Sequence, residues 1–283
     1  MPADLPPLLW ELALAPVLLL QGRRVRRHTP VLPEAPGPRE GCIGADGAAG
    51  SAPGGGGAST APAASTAPAA STAPAAPAAA PLRLLIAGDS AVAGVGVDRL
   101  DQAMAVHFAA GLAARLNRPV RWRVRARTGL DARGLRALLE AEPVEPADLI
   151  LVAIGVNDVT GRTARPRWLA DLAALRERLL ADSPDARLLW AGLPPMQSFD
   201  ALPRPLNAYL GARARQLEAA LARWSATDPR MNHLPVPLAP GDGMMASDGF
   251  HPGPRGHRHW GEQLARAASA VWADPARTTP SAS

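Results

Sequence analysis

Lysine is missing from this chain, and all 30 of its basic residues are arginine. That absence removes the phosphate-gripping lysine of a Walker loop, a Schiff-base amine, a Ser-Lys dyad and the ATP lysine of a protein kinase. Cysteine is almost as scarce: a single thiol, Cys42, leaves nothing for an internal disulfide or a multi-cysteine metal site. Aromatic residues make up only 4%, and the arginines are scattered among acids with a net charge of +5. Without stacking rings interleaved among the cations, no nucleic-acid surface is expected. Long apolar runs are lacking too. The stretch from Leu5 to Leu20 is broken by Pro6, Pro7, Glu11 and Pro16, short of the ~20 apolar residues a membrane span needs.

What the chain has in excess is proline, 31 residues, and glycine, 26, beside a hydrophobic share of 47%. The excess is local and divides the sequence. Residues 1–40 are apolar and then basic. Asp4 precedes the apolar run and Arg23, Arg24, Arg26 and Arg27 follow it, the reverse of a cleavable export signal. Residues 5–27 are a candidate peripheral membrane contact, with a frayed or misassigned start as the alternative, and a cytoplasmic or membrane-associated location is favoured. Residues 41–81 are Gly, Ala, Pro, Ser and Thr apart from Cys42, Ile43 and Asp46, with STAPAA starting at Ser59, Ser65 and Ser71. Such a tract has no burial to offset the entropy of ordering and reads as a linker. The folded domain is expected over 82–274, and 275–283 as a disordered tail.

Inside that domain, short apolar runs alternate with stretches of helical period. The runs Leu82 to Ala87, Val120 to Ala126, Leu149 to Ile154, Arg187 to Leu193 and, more weakly, His233 to Pro237 read as strands. Helical patterns lie near Asp101 to Leu116, Ala132 to Ala141, Arg167 to Ala181, Pro205 to Trp224 and Arg255 to Val271. Strands of unbroken apolar character joined by crossover-length helices imply an α/β fold: a parallel sheet covered on both faces in three layers.

Parallel sheets gather ligands at the carboxyl ends of their strands. Gly88-Asp89-Ser90 follows the first strand, Thr128-Gly129 the second and Gly155-Val156-Asn157-Asp158 the third. Asp248-Gly249-Phe250-His251-Pro252 precedes the last helix. Acyl transfer needs these types: a hydroxyl nucleophile, an imidazole to take its proton, a carboxylate to orient the imidazole, and donors for the developing oxyanion. Ser90, His251 and Asp248 fill the first three roles. The N–H groups of Ser90 and Gly129 and the side-chain amide of Asn157 fill the last. Asp89 and Asp158 read as loop braces.

Those four blocks, in this order, resemble the SGNH hydrolases, the GDSL esterase/lipase family, over about Leu82 to Trp272. The resemblance implies a flavodoxin-like α/β/α sandwich with a five-stranded parallel sheet, no metal and no cofactor. It also implies ester hydrolysis through an acyl-enzyme on Ser90, with Asp248 and His251 as acid and base and Ser90, Gly129 and Asn157 as oxyanion donors. The first block reads Gly-Asp-Ser-Ala, without the leucine often found after the serine. Leu193-Pro194-Pro195-Met196 and Phe199 resemble the substrate-loop region of bacterial members, so Met196, Phe199 and Phe250 are candidate substrate contacts. The expected substrate is a small-molecule or lipid ester. Transfer of the acyl group to an envelope glycan or lipid, deacetylation of such a glycan, and a non-catalytic ligand-binding module stand as alternatives.

Other signals lead elsewhere. His251, His257 and His259 form a loose cluster without convergent carboxylates, so no metal is expected. Gly94-Val95-Gly96 lacks the third glycine of a dinucleotide loop, which is Arg99 here. An α/β-hydrolase elbow would need glycine two residues after the serine, where Val92 stands.

Overall fold

A computed structural model describes residues 7–47, 49–50, 79–235 and 243–273, with side chains described from residue 14 onward. In chain order the elements are α1 (Pro7–His28), β1 (Glu40–Ile43), β2 (Ala49–Gly50), β3 (Leu82–Gly88), α2 (Met104–Leu116), β4 (Val120–Ala126) and α3 (Ala132–Ala141). They continue as β5 (Leu149–Ala153), α4 (Val156–Thr160), α5 (Arg165–Asp182), β6 (Arg187–Ala191), α6 (Leu206–Ser225), β7 (Met231–Leu234) and α7 (Pro254–Ala273).

β5, and β3 past Arg83, become central strands because neither of their faces has a polar side to offer solvent, whereas β4 alternates its buried residues with Arg121, Arg123 and Arg125. Along β3, Leu84 and Ile86 face one core while Leu85 and Ala87 face the other. Likewise Leu149 and Leu151 of β5 point one way, and Ile150 and Val152 the opposite way. One core lies under α2 and α7, built on Phe108, Leu112, Trp260 and Leu264. The other lies under α3, α5 and α6, built on Leu135, Trp168, Leu172 and Leu217. The fold is thus an α/β/α sandwich, with both sheet faces covered as unbroken apolar strands require.

Five parallel strands run in the order β4-β3-β5-β6-β7. Numbered within the parallel set, this is 2-1-3-4-5, the flavodoxin-like order, whose direction of winding reverses between β3 and β5. That reversal opens a crevice at the carboxyl ends of these two strands.

The sheet differs from the five-stranded expectation by two antiparallel strands, giving the order β2-β1-β4-β3-β5-β6-β7. β1 pairs with β4 from Glu40 opposite Arg123 to Ile43 opposite Val120. Both added strands come from residues read as N-terminal segment and linker. Composition hid them because β1 is short, and its support is tertiary. Ile43 is buried in the α2/α7 core, and Arg123 Nε donates to Glu40 at 2.9 Å. The fold therefore begins well before Leu82. The linker expectation for residues 51–78, the tail from 275 and the continuation of the last strand to Pro237 lie outside the described residues.

α1 gathers the apolar N-terminal run into a helix that carries Pro16 within it. Its Leu18 and Val25 pack against the α3/α5/α6 core. Between them, Gln21 donates to the Arg204 carbonyl at 2.6 Å and accepts from the Leu206 N–H at 3.1 Å. No helix among the described residues is long and apolar enough to cross a membrane.

Candidate active site

The end of β3 delivers Asp89 and Ser90 to the crevice. Ser90 Oγ lies 2.9 Å from His251 Nε2, and His251 Nδ1 lies 2.6 Å from Asp248 Oδ2. A carboxylate only accepts, so Nδ1–H donates to Asp248 and Nε2 is left to accept the serine proton. Asp248 Oδ1 also accepts the N–H groups of Phe250 and His251, at 2.9 and 3.0 Å. Burial pushes this carboxyl upward, but the hydrogen bonds from His251 and from both N–H groups outweigh it and hold Asp248 below its usual range. Asp248 therefore stays a carboxylate facing the imidazole although it is only 5% exposed.

The loop carrying Asp248 and His251 is closed by its own backbone. Ala246 N–H donates to the His251 carbonyl at 2.8 Å, and Met245 bridges Pro252. Gly96, at φ +103, sits so close to the Pro252 carbonyl that a Cβ would collide with it. Glycine there lets the loop after the serine press against the loop of the histidine. His257, in the first turn of α7, seals the same junction. Its Nδ1 accepts the Met104 N–H and its Nε2–H donates to the Val95 carbonyl, both at 3.0 Å. It is a buried clamp, separate from the serine–histidine contact. No metal-holding group of three ligands occurs among the described residues.

Gly129 and Asn157 stand at the ends of the strands flanking β3. Gly129 takes φ +82, a conformation that favours glycine. Asn157 lies in α4, directly after β5, and one proton of its Nδ2 goes to the Leu130 carbonyl at 2.8 Å. Its second proton remains for another acceptor. Asp158 accepts the Ala132 N–H at 3.1 Å and Asp89 accepts the Ala91 N–H at 3.2 Å, as loop braces would. Burial raises both carboxyls to about 6.

Ser90 and His251 also line a cleft, open to solvent, whose remaining wall is nearly all apolar. Ile154, Val156, Leu193, Pro194, Pro195 and Trp260 contribute to it, with Phe199 and Phe250 packed edge to face at 5.2 Å. Gly129 and Asn157 are outside this lining. Met196 is outside it as well, a correction to its reading as a substrate contact: it opens a 3-10 turn that points its side chain into the core, where it is fully buried. Residues that sequence reasoning passed over include Ile154, Val156, Met245 and Trp260, which line the cleft, and Glu218. The Glu218 carboxylate accepts from the Leu193 N–H at 2.6 Å and pairs with His233 Nε2 at 2.7 Å, fixing the cleft wall from behind. Lone apolar or acidic residues within helices and turns carry no local signal for such roles.

A model of the GDSL-like lipase/acylhydrolase family matches residues 86–259, more than half of the chain. Among curated protein sequences there is no match. Solved structures of similar fold include a G-D-S-L family protein from Desulfitobacterium hafniense DCB-2, 12% identical, with TM-score 0.53 over 65% of this chain and 98% of that one. A lipase from a goat rumen metagenome is 18% identical, with TM-score 0.52 over 67% and 97%. A carbohydrate esterase family 2 enzyme with a carbohydrate-binding domain, from Corynascus thermopiles, is 18% identical, with TM-score 0.52 over 71% and 69%. At these identities the likeness is one of fold.

Proposed function

We propose, on the premise that this chain belongs to the GDSL-like lipase/acylhydrolase family and is a hydrolase, that it cleaves carboxylic esters with an apolar acyl group through an acyl-enzyme on Ser90. The observation that carries this reading is the hydrogen-bonded series Ser90–His251–Asp248 set in the wall of one apolar cleft.

Ser90 Oγ attacks the ester carbonyl as His251 Nε2 takes its proton, and Asp248 stabilises the imidazolium that forms. The carbonyl oxygen gains charge facing the N–H groups of Ser90 and Gly129 and the uncommitted proton of the Asn157 amide. Such donors are fixed before the reaction and need no reorganisation when charge develops. Collapse of the tetrahedral intermediate expels the alcohol, which takes the proton from His251. Water, deprotonated by the same imidazole, then attacks the acyl-enzyme and releases the acid. The hydrocarbon part of the acyl group lies along Phe199, Phe250 and Leu193, where burial of each methylene is worth about 0.8 kcal/mol.

The test is initial-rate hydrolysis of p-nitrophenyl acetate, butyrate and octanoate by the full chain, beside Ser90→Ala. The expected result is turnover that Ser90→Ala abolishes without change in melting temperature, together with fluorophosphonate labelling of the unsubstituted protein alone. Equal rates in both proteins would overturn the reading.

A further inference from the structure

The residues between α1 and β1 carry a contact that neither the four motif blocks nor the triad geometry accounts for. They read Pro33-Glu34-Ala35-Pro36-Gly37-Pro38-Arg39, and three fixed proline φ angles favour an extended strap. The strap touches the loop behind the serine first. Ala35 N–H donates to the Ala93 carbonyl at 3.2 Å, Leu100 N–H donates to the Pro36 carbonyl at 2.9 Å, and Ala35 is buried with Val97, Leu100 and Ala103. It then reaches the end of β4. Glu34 Oε1 accepts the Thr128 N–H at 2.6 Å, and Glu34 Oε2 pairs with Arg39 Nη2 at 2.6 Å. Arg39 Nη1 donates to the Ala126 carbonyl at 2.6 Å, and the Arg39 carbonyl accepts the Val124 N–H at 2.7 Å.

We propose that Glu34 is a positioning residue for the oxyanion donors. In concert with Arg39 it fixes the turn that presents Gly129, so that the segment ahead of the low-complexity tract completes the active site. This rests on the hydrolase reading above. Downstream the turn is anchored by Leu130, which packs against the α3/α5/α6 core, and by the Ala132 N–H on Asp158; upstream, the Thr128 N–H is held by Glu34. Gly129 itself is exposed and has open space where a side chain would be, so no side chain of its own packs to set the direction of its N–H. Its neighbours set it from both flanks: Glu34 on the Thr128 N–H upstream, where it is the polar anchor, and Asn157 on the Leu130 carbonyl downstream, beside the packing of Leu130. An oxyanion donor displaced by a fraction of an ångström loses most of its value. Glu34 is also suited to hold a fixed anchor. Burial raises its carboxyl, but the Thr128 N–H and the Arg39 guanidinium outweigh that and hold it below the usual range. Both of its oxygens are committed, and Arg39 neutralises its charge beside the site where an anion forms.

The experiment uses the full chain and p-nitrophenyl acetate and octanoate. Glu34→Ala is expected to lower kcat by roughly ten- to a hundredfold, a part of what losing an oxyanion donor costs, with KM within about twofold. The octanoate-to-acetate preference is expected to stay unchanged, because the cleft wall is built by other residues. Glu34→Gln keeps an acceptor for Thr128 and is expected to recover kcat to within about threefold of the unsubstituted protein. A kcat for Glu34→Ala equal to that of the unsubstituted protein, or a change confined to KM, would overturn the proposal. Amide hydrogen exchange at Thr128 in the unsubstituted protein supplies a reading that no variant's folding can confound. Protection is expected, and exchange at the rate of a free loop would overturn the proposal on its own. Failure of the unsubstituted protein to turn over esters or to label at Ser90 is a separate result, which removes the hydrolase reading and this one with it.

Discussion

Asp89 stands directly before the serine and is almost fully buried, and burial lifts its carboxyl from 3.8 to about 6. Protonated Asp89 is thus favoured in the folded protein relative to the unfolded chain, so stability falls as pH rises through about 6. His257 acts in the opposite sense. Burial holds it down at about 4 against an ordinary 6.5, so its contribution is complete above 6.5 and is lost as pH falls toward 4. Removing one group therefore reveals the other. Asp89→Asn can still accept from Ala91 and no longer ionises. Its melting temperature, measured against the unsubstituted protein, is expected to be relatively higher at pH 8 than at pH 5. His257→Gln is expected to show the reverse trend. Any constant cost of either substitution cancels in the comparison between the two pH values, and a difference that does not change with pH would show that the group does not titrate in that window.

At the scale of elements, α6 supports the cleft through Glu218, whose carboxylate holds the Leu193 N–H. Glu218→Ala is expected to raise KM for the octanoyl ester by roughly three- to tenfold while leaving kcat for the acetyl ester near its starting value, since the bonds lost, to the Leu193 N–H and to His233, lie at and behind the wall and not at the triad. Paired kinetics on the two esters check this. The central strands were readable because their signal is local. Apolar runs placed β3, β4, β5 and β6 to within two residues, and the period of Ala132–Ala141 matched α3 at both ends. β1 was hidden because its support comes from β4, nearly eighty residues away, and β2 because it pairs only with the equally short β1. α4 was hidden because five residues, Val-Asn-Asp-Val-Thr after Gly155, read as a loop. Ser90, Asp248 and His251 stood out by their blocks, and the structure brings them into one hydrogen-bonded series. Glu34 gave no such sign: an acid between prolines acquires a role only when a distant turn folds against it.

Across the whole molecule, the chain contributes to the crevice from both sides of its low-complexity tract. A chain starting at Leu82 loses the strap, β1 and β2. Its kcat for p-nitrophenyl acetate is expected to fall by about tenfold or more, whereas a chain starting at Val31 keeps the strap and is expected to retain most of the activity of the full chain. Kinetics and thermal melting of the two chains side by side check this. The hairpin also decides how the protein meets its own copies. Uncovered, β4 would offer a seven-residue edge of free amides and carbonyls to any passing strand. With β1 laid antiparallel upon it, residues 120–123 of that edge are paired, and a covered edge is no template for further pairing. Covering by β1 is thus expected to guard against self-association, and the chain cut back to Leu82 is expected to aggregate, as light scattering would show, at concentrations where the full chain stays dispersed; equal scattering from both chains would remove that role.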